Sequence, residues 1–142
     1  MFEWTTRITD MKTAFQIVLI VSNIVPLLTG ILVALNGAAF FVDADAIDVG
    51  FDAQIRTYAV WFTGIFLLSV WIAFNIEIAG PVLKIVFTLV ALAGLSRVYA
   101  MYSLGSYPPR TVVAAGIEIF TLIFIPWHAY VLKKMRKTKP VS

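Results

Sequence analysis

The chain has 142 residues, of which 61% are hydrophobic and 13% are charged, and its formal net charge is +3. A soluble domain of this length leaves too much surface in water to hide so many apolar side chains, so the composition excludes most water-soluble folds. Cysteine is absent, which excludes disulfides, thiolate metal sites and cysteine nucleophiles.

Four apolar runs follow one another along the chain, and each is long enough for a membrane helix, which needs about 20 residues. Lipid offers no water to an open strand edge, so every run is predicted to be helical. The sequence therefore predicts an all-α integral membrane protein, an antiparallel four-helix bundle that forms one domain over residues 1–142. The predicted spans are residues 13–41, 55–76, 82–104 and 111–132.

The first span, residues 13–41, is too long for the apolar region of a cleavable signal peptide, which has about 7–15 residues. Polar and small residues fall on one face of it at helical spacing, and Asn36 lies nearer its outer end. Small residues of this kind let neighbouring helices approach closely. The stripe consists of Asn23, Pro26, Gly30 and Ala34.

The predicted loop at residues 42–54 contains aspartates but no lysine or arginine. Lysine and arginine are retained on the cytoplasmic side, so this loop is predicted to be external. A solvated loop is favoured over a cation site, because the remaining ligands and the turn glycine of a calcium loop are missing. Asp52 is expected to cap the second helix. The other aspartates are Asp43, Asp45 and Asp48.

Arg56 opens the second span near its outer end, and Tyr58 follows it. Ionisable groups in or beside a membrane span usually face a bundle interior or a water-filled cavity. Arg56 is therefore a candidate ligand contact. Its side chain is also close enough to the interface to snorkel, which is the alternative.

Arg97 lies inside the third span and Glu118 inside the fourth. At a rise of about 1.5 Å per residue, they lie about 10 Å and about 12 Å from the external connection between these helices. Opposite charges at similar depth on adjacent antiparallel helices predict a direct or water-bridged ion pair. A purely structural pair and a functional one are both consistent with this placement.

The tail at residues 133–142 is basic, and Arg7 and Lys12 add positive charge near the N-terminus. Both termini are therefore predicted to be cytoplasmic, and the tail is expected to anchor at anionic lipid rather than to bind nucleic acid. His128 is the only histidine. A bis-histidine haem and a three-histidine zinc site are thus excluded, and an interfacial position is favoured for His128.

The stretch Asp52-Ala-Gln-Ile-Arg56-Thr-Tyr58, taken with Arg97 late in the third span and Glu118 in the fourth, resembles an uncharacterised family. The family consists of four-span bacterial membrane proteins and is catalogued as domain of unknown function 4345. The resemblance implies that Arg56, Arg97 and Glu118 belong to one constellation, and it implies no reaction. The chain is expected in the inner (plasma) membrane.

The leading hypothesis is a non-enzymatic membrane protein that binds a small or lipid-like ligand in an outward-facing polar pocket. Two alternatives stay open, a proton-coupled small transporter that uses Glu118 and a structural or assembly subunit, including a homo-oligomer. No catalytic motif is present, so an enzyme is not expected, and neither are metals, cofactors or nucleic acid. Membrane lipid is the predicted partner. The predicted ligand-binding residues are Arg56, Arg97, Glu118, Asn36 and Tyr58.

Overall fold

The computed structural model describes residues 2–43, 45 and 47–138, and the side chains of residues 10–43, 45 and 47–137. Arg7 and the end of the basic tail, which the topology prediction uses, lie outside the described side chains. The described residues form helices and contain no β-strand. The helices are α1 (Phe2–Ser22), α2 (Ile24–Asn36), α3 (Val49–Phe74), α4 (Gly80–Leu104), α5 (Pro109–Phe120) and α6 (Phe124–Thr138).

Four helical stretches in this part of the chain are long and apolar enough to cross a membrane. The predicted all-α fold with four membrane helices is therefore confirmed, and the chain is a multi-pass membrane protein. The second stretch begins at Val49, inside the segment that was predicted to be a loop. The stretches are Asp10–Phe40, Val49–Phe74, Gly80–Leu104 and Pro109–Lys137.

The chain packs as two compact units. The first comprises Gln16–Phe74, in which α2 packs against α3, and we call it the α2–α3 unit. The second comprises the described residues up to Phe15 and from Asn75 onward, in which α4 packs against α5 and α6. We call it the α4–α6 unit.

Pro26 and Pro126 interrupt the first and fourth membrane stretches. A proline has no N–H, and its ring clashes with the carbonyl four residues earlier. The α-helix accordingly breaks just before each proline, at Asn23 and at a 3₁₀ turn formed by Thr121–Ile123. At the first break the Leu19 carbonyl accepts a hydrogen bond from Asn23 Nδ2 at 2.8 Å. A side chain thus satisfies a backbone acceptor where lipid supplies no donor.

Each unit contains a glycine at which two helices come close. A methyl group added at Gly30 would lie 3.0 Å from the carbonyl oxygen of Ala59 and 3.0 Å from Cβ of Phe62. A methyl group added at Gly94 would lie 2.9 Å from the carbonyl oxygen of Ala115 and 3.0 Å from Cβ of Glu118. Both contacts use a small residue to bring two membrane helices together.

An aromatic cluster forms the core of the α4–α6 unit. Phe15 is fully buried, and its ring centroid lies 5.4 Å from that of Trp127 and 6.1 Å from that of Phe124. The Phe87 ring lies 5.0 Å from that of Phe124. Aromatic pairs at these distances contribute roughly 0.5–1.5 kcal/mol each beyond simple burial, so the cluster joins α1 to α4 and α6.

Candidate functional site

Asp52 and Arg56, one turn apart on α3, join this helix to the end of α2. Asp52 Oδ2 accepts a hydrogen bond from Arg56 Nε at 2.7 Å, and its Oδ1 accepts one from the Ala38 backbone N–H at 2.7 Å. Arg56 Nη1 donates to the carbonyls of Ala34 and Leu35 at 2.5 Å and 3.2 Å. The last carbonyls of a helix lack partners within it, so Arg56 satisfies two of them. We call this set of contacts the α2–α3 clasp.

Gly37, which directly follows α2, makes room for the clasp. Its φ of 61° and ψ of −144° lie in a backbone region that glycine alone adopts readily. A methyl group at this position would overlap the Asp52 carboxylate and lie 2.7 Å from Arg56 Nη2. Both the conformation and the available space therefore require glycine.

Asp48, rather than Asp52, caps the N-terminus of α3. Asp48 Oδ1 accepts a hydrogen bond from the Phe51 N–H at 3.0 Å. The predicted capping role of Asp52 is wrong, because its carboxylate reaches the Ala38 N–H instead. Within the described part of the chain, no group of three or more acidic, histidine or cysteine residues could hold a metal ion. Ala44 and Ala46 of this loop lie outside the described residues.

Arg97 on α4 and Glu118 on α5 form the ion pair that their depth predicts. Arg97 Nε donates to both carboxylate oxygens of Glu118, at 2.9 Å to Oε2 and 3.1 Å to Oε1. Gly94, one turn before Arg97, allows the close approach of the two helices that this contact needs. The predicted direct or water-bridged pair is confirmed, and the contact is direct. We call it the α4–α5 ion pair.

The end of the Arg97 side chain is open. Neither Nη1 nor Nη2 has a hydrogen-bond partner among the residues that the structure describes. The Arg97 side chain is 40% exposed, whereas that of Glu118 is 16% exposed. An unsatisfied polar group in the hydrocarbon region costs several kcal/mol. The free N–H groups of Arg97 are therefore available to an acceptor from outside these two helices.

Asn36 and Tyr58 make local contacts within their own helices. Asn36 Nδ2 donates to the Leu32 carbonyl at 2.8 Å. The Tyr58 hydroxyl accepts a hydrogen bond from Gln54 Nε2 at 3.2 Å, and Tyr58 is 49% exposed. Both residues belong to the α2–α3 unit, as the clasp does, whereas the α4–α5 ion pair belongs to the other unit. Their role in ligand binding stays a prediction.

A family model with the description Domain of unknown function (DUF4345) matches residues 14–128. The chain belongs to this family. The predicted family is therefore confirmed. No curated protein and no solved structure matches the chain. The DUF4345 match contains both the clasp and the α4–α5 ion pair, but its description assigns no activity, so function has to be inferred from the geometry of these groups.

His128, the last residue of the DUF4345 match, has a structural role that the sequence does not reveal. Its Nε2 donates to the Ile76 carbonyl at 2.7 Å, and the residue is 4% exposed. A methyl group added at Gly80 would lie 3.4 Å from His128 Cε1. The side chain is thus buried against protein, and it ties α6 to the connection between α3 and α4. The interfacial depth expected for His128 stays a prediction.

Proposed function

We propose that this chain is a non-enzymatic membrane protein that binds an acidic small or lipid-like ligand at the α4–α5 ion pair. The observation that carries the proposal is the open end of Arg97, whose Nη groups have no partner among the described residues. Glu118 holds Nε and orients the guanidinium. A phosphate or carboxylate then accepts hydrogen bonds from Nη1 and Nη2, in the forked geometry that arginine offers.

The surroundings of the pair suit a ligand with an apolar part. Val98 directly follows Arg97, and Ile117 directly precedes Glu118. Both apolar side chains are exposed. Arg97 lies about 10 Å from the outer end of α4, within reach of a headgroup that sinks slightly below the interface. An acidic group near Arg97 and a hydrocarbon chain along the exposed apolar surface together describe a lipid-like ligand.

The proposal includes a location and an orientation. We place the protein in the inner (plasma) membrane of a bacterial cell with both termini cytoplasmic, so that the α4–α5 ion pair lies in the outer half of the bilayer. The support is the contrast between residues 42–54, which contain no lysine or arginine, and the basic tail at residues 133–142.

Arg56 receives a different role from Arg97 in this proposal. One carboxylate and two helix-end carbonyls already engage its Nε and Nη1. We assign Arg56 to the support of the α2–α3 hairpin, and we keep Asn36 and Tyr58 as secondary ligand contacts.

Arg97→Lys tests the proposal, because lysine keeps a positive charge for Glu118 but lacks the forked N–H groups. Arg110→Lys is the matched control, since it makes the same substitution at another arginine, which is exposed. The proteins are extracted in native-lipid nanodiscs, and bound acidic lipids and small molecules are quantified by mass spectrometry. We expect an acid-bearing molecule to be retained by the wild type and the control, and about a tenfold loss in Arg97→Lys.

Equal retention by all three proteins, with unchanged helical content, contradicts ligand binding at Arg97. Substrate-dependent proton flux in liposomes that Glu118→Gln abolishes favours the proton-coupled transporter instead. A protein partner or second copy that co-purifies in fixed ratio from native membranes favours the assembly subunit.

A further inference from the structure

Helix α6 presents a basic face at the end of the fourth membrane stretch. Lys133, Arg136 and Lys137 are spaced by three and four residues and therefore share one side of the helix. Together with Ala129 and Leu132 they line a shallow groove of about 440 Å³. We call these five residues the α6 basic face.

The three cations of this face are unneutralised. Lys133, Arg136 and Lys137 have no acidic partner among the residues that the structure describes. The neighbouring Lys134 differs, because its ammonium group lies 5.5 Å from the centroid of the Tyr130 ring. The face therefore presents a local positive charge that an anion from outside the chain can neutralise.

We infer that the α6 basic face docks on anionic phospholipids of the adjacent leaflet, with its cations against phosphate-bearing headgroups. The geometry fits the bilayer. Lys137 lies five positions after Leu132, or about 7.5 Å further along the helix. Each polar interfacial layer of a bilayer is about 5–8 Å thick. With Ala129 and Leu132 at the edge of the hydrocarbon, Arg136 and Lys137 reach the headgroup phosphates.

Both lipid headgroups and nucleic acid are anionic, and the position of the cations favours a lipid as the occupant. The cations lie in the last five residues of the membrane stretch Pro109–Lys137, so the end of this stretch brings them to a bilayer surface. Basic clusters in that position attract anionic lipid. Nucleic acid without base pairing binds best where aromatic rings can stack on its bases, and Lys134 covers the nearby Tyr130 ring.

The test uses the full chain in detergent, with native mass spectrometry to count bound phosphatidylglycerol and phosphatidylcholine at equal concentrations. Each cation near an anionic surface contributes roughly fivefold in affinity. We expect the wild type to prefer phosphatidylglycerol by about tenfold or more. Combined Lys133→Gln, Arg136→Gln and Lys137→Gln should reduce that preference to about twofold or less, while the matched control Lys134→Gln keeps it.

The triple substitution is also made in the Arg97→Lys background, where it should still reduce the preference, so failure here and failure of the proposed ligand site are distinguishable. Circular dichroism checks that every variant is folded. An unchanged preference in the folded triple variant overturns the inference, as does a wild type without preference. Binding of a single-stranded oligonucleotide in place of phosphatidylglycerol also overturns it.

Discussion

At the scale of single residues, two arginines differ in how many of their donors the fold uses. Arg56 donates from Nε and Nη1 to a carboxylate and two carbonyls, whereas Arg97 donates from Nε alone to Glu118. The sequence places Arg56 near the start of its helix and Arg97 near the end of its helix, where the structure has them. It does not separate their roles, because the partners of Arg56 are backbone carbonyls, which every residue carries.

Gly37→Ala is expected to destabilise the protein by about 2–3 kcal/mol. A side chain at φ 61° and ψ −144° is strained by roughly 1–3 kcal/mol, and its methyl group would also displace the clasp. Gly105 provides the control, since its φ is 62° but nothing lies within 4 Å of an added methyl group. Gly105→Ala should cost only about 1 kcal/mol.

Both glycine variants can be compared with the wild type by thermal or SDS-induced unfolding in mild detergent. Equal destabilisation by Gly37→Ala and Gly105→Ala contradicts the role of Gly37 in making room for the clasp. The sequence patterns do not single out Gly37 as part of a site, although a glycine directly after an apolar helix is an ordinary signal of a helix end. What no sequence pattern shows is that the Asp52 carboxylate occupies the space of the missing side chain.

At the scale of helices, the length of each apolar run predicts a membrane span, because the bilayer thickness sets the number of residues that a membrane helix needs. Helix boundaries are harder to predict where local capping decides them. Asp48 starts α3 at Val49 rather than at residue 55, because a short polar side chain captures the free Phe51 N–H. The breaks near Pro26 and Pro126 follow from the missing proline N–H, but the sequence does not show that Asn23 repairs the first break.

Gly94→Ala should destabilise the α4–α6 unit by about 1–3 kcal/mol, because the added methyl group would lie 2.9 Å from the Ala115 carbonyl oxygen. Gly116 on α5 is the matched control, since nothing lies within 4 Å of a methyl group there. Gly116→Ala should be neutral or stabilise by up to about 1 kcal/mol through helix propensity. Unfolding in detergent measures both effects. Equal shifts in the two variants exclude Gly94 as a packing contact.

At the scale of the whole molecule, composition together with the four apolar runs is enough to predict a membrane protein with four helices. The division of the chain into two compact units is not predictable from composition, since the unit boundaries fall within α1 and directly after α3. Hydropathy reports that a residue lies in lipid or protein but not which helix it contacts. The predicted constellation of Arg56 with the α4–α5 ion pair therefore stays a prediction.

The absence of cysteine makes the proposed orientation directly testable, because any introduced thiol is the only one in the chain. Asp43→Cys and Ser106→Cys should react with a membrane-impermeant maleimide on intact cells. Ile78→Cys, which is exposed in the connection between α3 and α4, should react only after the membrane is permeabilised. The reverse pattern would show that the acidic loop is cytoplasmic.

The α4–α5 ion pair also has a consequence for biosynthesis. Asp52, the counter-ion of Arg56, precedes it by four residues on the same helix and is therefore synthesised first. Arg97 emerges without one, because Glu118 follows 21 residues later on α5. An arginine in a membrane helix costs up to about 2.5–3.5 kcal/mol, the value at the helix centre, on the scale set by translocon insertion. Helix α4 therefore partitions into lipid more favourably together with α5 than by itself, which makes this hairpin the natural unit of insertion.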